Sequence, residues 1–271
     1  MAVLQLLSPS ATFPIPIHMC IEMEIFVSGN VNVGSKKKVL IVAANPAQSP
    51  VTGWPTGFWW AELTHPYWAF TEAGYEIEIR SPEGGTLSAD GFSDPEDESQ
   101  YSAHDILSLG FKKSAAHMAL LQETKSIKGV NPSDYDAVFL IGGQSPMITF
   151  FGNQEVYKLV ANFYEAGKVT ALVCHATCVL LEAKLSTGEL IVSNKTWTGF
   201  ANQEERYAED FIKGKLQPFW IESEARKIPN SNFVIDQPFR PFAVRDGLLI
   251  TGQQQFSGDE AARLVIEALG R

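Results

Sequence analysis

From residue 39 onward, short apolar runs alternate with amphipathic stretches, and this alternation restricts the fold more than any other feature. The best candidates for central strands are residues 39–43, 77–80, 137–141 and 169–173. Runs that are apolar throughout are typical of strands buried on both faces, and the helical patterns between them indicate βαβ units. The sequence therefore predicts a single α/β domain in which helices sandwich a parallel sheet.

The first 35 residues do not follow this pattern. Pro9, Pro14 and Pro16 interrupt their apolar residues, and neither a helical nor a strand period persists. We therefore predict an irregular or disordered extension over residues 1–35 and the α/β domain over residues 36–271.

Charge and cysteine content restrict the partners and the compartment. A net charge of −10 opposes binding to nucleic acid or to anionic membranes, and no apolar run is long enough to span a bilayer. The three cysteines, Cys20, Cys174 and Cys178, lack zinc-ligand spacing and favour a reducing compartment. We predict a cytoplasmic protein with neither a metal nor another cofactor.

Residues 169–179, VTALVCHATCV, combine a buried strand with a reactive residue type. The apolar run ends at Cys174 and His175 and continues into helix-forming residues. A helix N-terminus at this turn would lower the pKa of the thiol and make it a nucleophile, in a turn that resembles the nucleophile elbow of other α/β enzymes. The alternative is that Cys174 is an inert, buried apolar residue.

Gly142 and Gly143 directly follow the strand at residues 137–141, where ligands bind in open α/β sheets. Their amides, with that of His175, would form an oxyanion hole, and Gln144, the next residue, is a further candidate for contact with substrate; the alternative is a tight turn without a ligand.

Three acidic residues are further candidates for the site. Glu62 lies among Trp59, Trp60 and other apolar residues of a predicted helix over residues 57–73, where desolvation would raise its pKa into the range of general acid–base catalysis. Glu204 and Glu205 either begin a helix, where acidic residues are favoured, or orient His175. Because none of the five histidines follows His175, the distant histidine of a glutamine-hydrolysing triad is absent.

The chain resembles the ThiJ/PfpI superfamily, within its heat-shock-protein and glutathione-independent glyoxalase (glyoxalase III) branch. The resemblance extends over residues 38–271 and is carried by AELTHP (61–66), SPEGG (81–85), DYDAVFLIGG (134–143), ALVCHA (171–176), AKLSTGE (183–189), TGFANQEE (198–205) and DGLLITGQ (246–253). It implies a flavodoxin-like, class I glutamine amidotransferase-like fold.

By this resemblance the catalytic residues are Cys174, His175, Glu62 and Glu205. The implied reaction is that of a cofactor-independent lyase: the Cys174 thiolate adds to the aldehyde of methylglyoxal, Glu62 and His175 move protons, and the resulting thioester is hydrolysed to lactate. Such an enzyme would detoxify methylglyoxal in a stress response. The resemblance also implies a possible homodimer.

The chain departs from the branch near the predicted pocket. Gln144-Ser145 follows Gly-Gly where the branch has His-Gly, Ala176-Thr177 follows His175 where it has Gly-Pro, and Gln254-Gln255 replaces Asn-Pro. Two alternatives therefore stay open. One is an isocyanide hydratase or another hydrolase of small electrophiles, and the other is a redox-sensing or chaperone-like stress protein that uses Cys174.

Overall fold

A computed structural model describes residues 36–270, so the predicted extension over residues 1–35 lies outside the described residues. The strands are β1 (Lys38–Val42), β2 (Ala47–Gln48), β3 (Pro55–Thr56), β4 (Glu76–Ser81), β5 (Lys125–Ser126), β6 (Ala137–Leu140), β7 (Val169–Val173), β8 (Thr196–Trp197), β9 (Asn232–Phe233), β10 (Ala243–Asp246) and β11 (Leu249–Gly252). The helices are α1 (Trp60–Glu72), α2 (Ile106–Lys113), α3 (Ala115–Ala119), α4 (Pro146–Thr149), α5 (Gln154–Glu165), α6 (Asn202–Ile212), α7 (Ile221–Ala225) and α8 (Gly258–Leu269).

Within the described residues, a seven-stranded sheet with the order β10-β11-β7-β6-β1-β4-β5 forms the centre of the domain. All neighbours pair in parallel except β10 and β11, which form an antiparallel hairpin at one edge. Every residue of β6, β7 and β11 is buried, as expected for strands covered on both faces. The predicted α/β fold and its four central strands are confirmed.

Helix α1 carries Glu62 toward the carboxyl ends of these strands. It packs against α8, and a Cβ atom on Gly258 at the start of α8 would lie only 3.2 Å from Cγ of Pro66. Because a proline removes an amide donor, Pro66 predicts a kink or a new start of the helix near Glu62. The helix instead begins at Trp60 and is assigned without a break through Pro66 to Glu72.

Two local predictions were wrong. The apolar pattern of residues 191–193 predicts a short strand, but these residues form a turn. Ile191 and Val192 are buried, and their side chains pack without joining a sheet. The sequence also predicts one helix over residues 115–125, but the helix there ends at Ala119, and the separate helix α2 before it was not predicted. The Ser114 hydroxyl accepts a hydrogen bond from the amide of His117, and this cap starts a separate short helix.

None of the helices in the described part of the chain combines the length and the apolar composition that crossing a bilayer requires.

Candidate active site

Cys174 stands at the sharp turn that ends β7. Its φ of 57° is left-handed, which is uncommon for a residue with a side chain, and a 3₁₀ segment, Cys174–Leu181, follows directly. Because β6 and β7 are neighbours, the Gly142 loop lies beside this turn, and a Cβ atom on Gly142 would lie 2.8 Å from Cβ of Cys174. The turn therefore has the geometry of a nucleophile elbow.

The thiol of Cys174 is a weaker acid than the sequence predicted. Its side chain is only 2% exposed, and burial raises its pKa well above the usual value, with a further increase from the negative charge of Glu62. The amides of His175 and Gly143 point at the sulfur and act in the opposite direction, but they do not compensate. The expected lowering of the thiol pKa was therefore wrong, because desolvation outweighs the amides at the start of the 3₁₀ segment.

The side chain of Glu62 extends from α1 to the turn at Cys174. It is fully buried, and its Oε2 accepts a hydrogen bond of 2.7 Å from the amide of Gly142. Its Oε1 has no hydrogen-bond partner among the described residues. Burial raises the pKa of this carboxyl to about 8, although the Cys174 thiol and the Gly142 amide partly offset the shift. Glu62 is thus a buried acid that titrates near neutral pH, as the sequence indicated.

His175 connects the thiol to a second buried carboxylate. Its Nδ1 lies 3.4 Å from Sγ of Cys174, and its Nε2 lies 2.9 Å from Oε1 of Glu205. The ring stacks on Phe200 with centroids 4.1 Å apart. A carboxylate can only accept, so we assign the Nε2 proton to the bond with Glu205, which leaves the Nδ1 lone pair facing the thiol. Glu205 lies in the first turn of α6 and also contacts His175, so both interpretations of this residue agree with its position.

The neighbouring Glu204 has a different environment. Its Oε2 accepts from the amide of Ala201 at 2.9 Å, and its Oε1 accepts from the amide of Phe239 at 2.9 Å and from Nε2 of Gln253 at 2.8 Å. These bonds connect the start of α6 to two other segments. Glu204 therefore has a structural role.

The loop after β6 only partly matches the predicted oxyanion hole. The amide of Gly142 is occupied by Glu62, whereas the amides of Gly143 and His175 face the sulfur of Cys174. Gly143 has a φ of 113°, and a Cβ atom there would lie 2.6 Å from the carbonyl oxygen of Gly57, so this position requires glycine. The available donors beside the sulfur are therefore Gly143 and His175.

Asp90 holds this loop and was not predicted. Its Oδ1 accepts from the amide of Gly57 at 2.8 Å, and its Oδ2 accepts from the amide of Gln144 at 2.7 Å. Burial raises its pKa to about 7 against the effect of these two bonds. Asp90 lies in an acidic loop, and nothing in the sequence distinguishes it from the carboxylates around it.

The side chain of Gln144, which we predicted to contact substrate, bonds to another residue. Its Oε1 accepts a hydrogen bond from Nε2 of Gln217, which lies on the segment after α6 and is buried. Both side chains line the cavity. Their contact joins segments that are distant in the sequence, so the sequence does not reveal it.

A cavity of about 340 Å³ opens above the thiol. Cys174, His175 and Gly143 line it together with Gln144, Phe200 and other apolar side chains. Among the described residues, no group of three or more His, Cys, Asp or Glu is arranged to hold a metal ion. The thiol and the oriented imidazole thus line one cavity, and the Glu62 carboxyl lies buried beside the thiol, against the amide of Gly142.

Comparisons with known proteins identify the family of the chain. The model of the DJ-1/PfpI family matches residues 55–268. A protein of Schizosaccharomyces pombe, "Probable glutathione-independent glyoxalase hsp3103", is 28% identical over 264 residues, which cover 87% of this chain and 99% of that protein.

Two solved structures are similar over most of the chain. The structure of the Francisella tularensis Rapid Encystment Protein 24 KDa has a TM-score of 0.75 and 25% identity, and covers 87% of this chain and 100% of that one. The crystal structure of glyoxalase III from Candida albicans has a TM-score of 0.70 and 26% identity, and covers 86% of this chain and 98% of that one.

Proposed function

Because the chain belongs to the DJ-1/PfpI family, we propose that it is a glutathione-independent glyoxalase, which converts methylglyoxal and water to lactate. The observation that carries the proposal is the position of the Cys174 sulfur at the base of the cavity, 3.4 Å from Nδ1 of His175. The names of the relatives in Schizosaccharomyces pombe and Candida albicans support the same activity.

In the first step, His175 activates the thiol. The Sγ proton moves to the free Nδ1 while sulfur attacks the aldehyde carbon, and the charge of Glu205 stabilises the imidazolium that forms. The amides of Gly143 and His175 donate to the developing alkoxide, which then takes the proton from Nδ1. The product is a neutral hemithioacetal, so glutathione is not needed to supply a thiol.

In the second step, Glu62 moves a proton between two carbon atoms. As a carboxylate, it removes the proton from the former aldehyde carbon to give an enediolate, and it then returns that proton to the neighbouring carbon. His175, whose Nδ1 is free again, takes the hydroxyl proton of the former aldehyde carbon and delivers it to the former ketone oxygen. Its raised pKa makes it a stronger base than an exposed glutamate. The result is a 2-hydroxy thioester on Cys174, and attack by water releases the 2-hydroxy acid and restores the thiol.

The first test is lactate formation from methylglyoxal by the reduced protein without glutathione, compared with Cys174→Ser and Glu62→Gln. We expect turnover by the wild type and a loss of about 100-fold or more in each variant, the scale of one lost acid–base or nucleophilic group. A folded, reduced wild type that forms no lactate would exclude the proposal. Oxidation of Cys174 by mild peroxide without any turnover would favour a redox sensor instead.

We further propose that the enzyme works in the cytoplasm and forms a homodimer. A free thiol at the base of the cavity suits a reducing compartment. Sedimentation of the purified protein measures the oligomeric state directly.

A further inference from the structure

The walls of the cavity carry more aromatic side chains than the methyl group of methylglyoxal could contact. Trp54 and Phe92 lie with ring centroids 6.4 Å apart, and Phe92 lies 6.1 Å from Phe211. On the other side, Trp59 lies 6.0 Å from Tyr101. All of these side chains line the cavity above Cys174, so aromatic rings surround the approach to the thiol.

Several of these rings remain exposed at the mouth of the cavity. Trp54 is 44% exposed, Tyr207 is 57% exposed and Phe211 is 64% exposed. Exposed large apolar side chains that gather around a pocket mark a ligand site, because burying them against a ligand is favourable. A substrate that reaches from the thiol to this mouth would cover them.

The volume of the cavity also exceeds the volume that methylglyoxal would fill. Methylglyoxal, with five non-hydrogen atoms, occupies on the order of three water volumes, ~90 Å³. The cavity measures about 340 Å³. Pockets of this size bind molecules with a ring or a long chain.

Charge narrows the class of substrate further. Neither Lys nor Arg occurs among the described residues that line the cavity, whereas Asp90 and Asp97 do. An aldehyde that carries a carboxylate or a phosphate would lose its hydration here without gaining a cationic partner. A carboxylate or phosphate on the substituent is therefore disfavoured, and the aromatic walls favour an apolar one.

We propose that the preferred substrate is a 2-oxoaldehyde with a bulky apolar substituent, typified by an arylglyoxal, with its aldehyde carbon at Sγ of Cys174 and its ring between Trp54 and Phe211. This inference rests on the proposed glyoxalase activity. The reaction is the same redox-neutral one: the 2-oxoaldehyde and one water give one 2-hydroxy acid, as the aldehyde carbon is oxidised and the ketone carbon is reduced.

The test compares phenylglyoxal with methylglyoxal by measuring the 2-hydroxy acid that each forms without glutathione. Acid formed with Cys174→Ala is subtracted as background. We expect kcat/KM for phenylglyoxal to exceed that for methylglyoxal by at least about tenfold, the scale of a buried apolar group in a pocket. Equal or lower values for phenylglyoxal would overturn the inference and leave the glyoxalase activity intact, whereas no turnover of either aldehyde would overturn both.

Variants at the mouth of the cavity test the location of the ring. In the double variant Trp54→Ala, Phe211→Ala, the ratio of the two kcat/KM values should fall about tenfold toward methylglyoxal. The matched control is Ile106→Ala, because Ile106 is 78% exposed and does not line the cavity. An unchanged ratio in the double variant, or an equal fall in the control, would overturn the proposed position of the substituent.

Discussion

The amide of Gly142 donates a hydrogen bond of 2.7 Å to Oε2 of Glu62. This bond joins α1 to the loop after β6, and both residues are buried beside the elbow of Cys174. It directs one carboxyl oxygen to the backbone and leaves the other, Oε1, available for a reacting group. The position of the proposed base therefore depends on a glycine that makes no chemical contribution of its own.

Gly142→Ala should abolish most of the activity. The added Cβ atom would lie 2.7 Å from Oε2 of Glu62 and 2.8 Å from Cβ of Cys174, and both must move to accommodate it. Because small displacements of reacting groups are costly, we expect kcat to fall about 100-fold. Steady-state kinetics with methylglyoxal measure the effect.

Gly110→Ala is the matched control. Gly110 lies within α2, and a Cβ atom there would contact nothing within 4 Å. We expect unchanged kinetics and a gain in stability of about 1 kcal/mol, because alanine favours the helix. Equal kinetics for the two variants would show that the Gly142 loop does not position the site.

The pH dependence of kcat/KM should reveal the ionisation of Glu62. Its pKa of about 8 means that only a minor fraction is the carboxylate at pH 7. If the carboxylate is the base, kcat/KM should rise about tenfold per pH unit below this pKa and level off above it. A rate that is constant from pH 6 to 8 would contradict the role of Glu62 as the base.

The stability of the protein should fall as the pH rises, in the range set by the same carboxyl. The pKa of Glu62 is raised from 4.5 to about 8 on folding, so the folded state retains a proton that the unfolded chain has lost. The stabilisation is complete below about pH 4.5 and is lost as the pH rises through about 8. Asp90, raised from 3.8 to about 7, acts in the same direction.

Urea unfolding of the wild type and of Glu62→Gln at pH 5.5 and 8 measures this contribution. Between pH 5.5 and 8, we expect the free energy of unfolding to fall by about 3 kcal/mol more in the wild type than in the variant, at ~1.4 kcal/mol per pH unit. The control is Glu72→Gln on the same helix, because Glu72 is exposed and its substitution should leave the pH dependence unchanged. Parallel curves for the wild type and Glu62→Gln would refute the raised pKa.

The sequence predicted the residues of the site better than their electrostatics. Cys174, His175 and Gly142 each follow a buried apolar run, so their positions at the ends of β6 and β7 follow from local pattern. Glu62 was recognisable because a charged residue stood within an apolar helix. The acidity of the thiol was not predictable in this way, because it depends on how completely the folded domain excludes water from Cys174.

Contacts between segments that are distant in the sequence also could not be predicted. Asp90 bonds to the amides of Gly57 and Gln144, which are 33 and 54 residues away along the chain. A carboxylate in a polar loop gives no periodic signal, so its partners appear only in the folded structure. The aromatic mouth of the cavity could not be predicted for the same reason, since Trp54 and Phe211 are 157 residues apart in the sequence.

The last prediction separates the two adjacent glutamates of α6. In Glu205→Gln, the imidazolium of His175 loses its negative partner, so we expect kcat to fall about 100-fold with little change in stability. In Glu204→Gln, one of the two acceptor oxygens is lost from the bonds to Ala201, Phe239 and Gln253, so stability should fall by about 1–3 kcal/mol. Steady-state kinetics and urea unfolding should therefore show that Glu205→Gln lowers mainly kcat, whereas Glu204→Gln lowers mainly the free energy of unfolding. A Glu204 variant with the larger loss in kcat would show that the wrong carboxylate has been paired with His175.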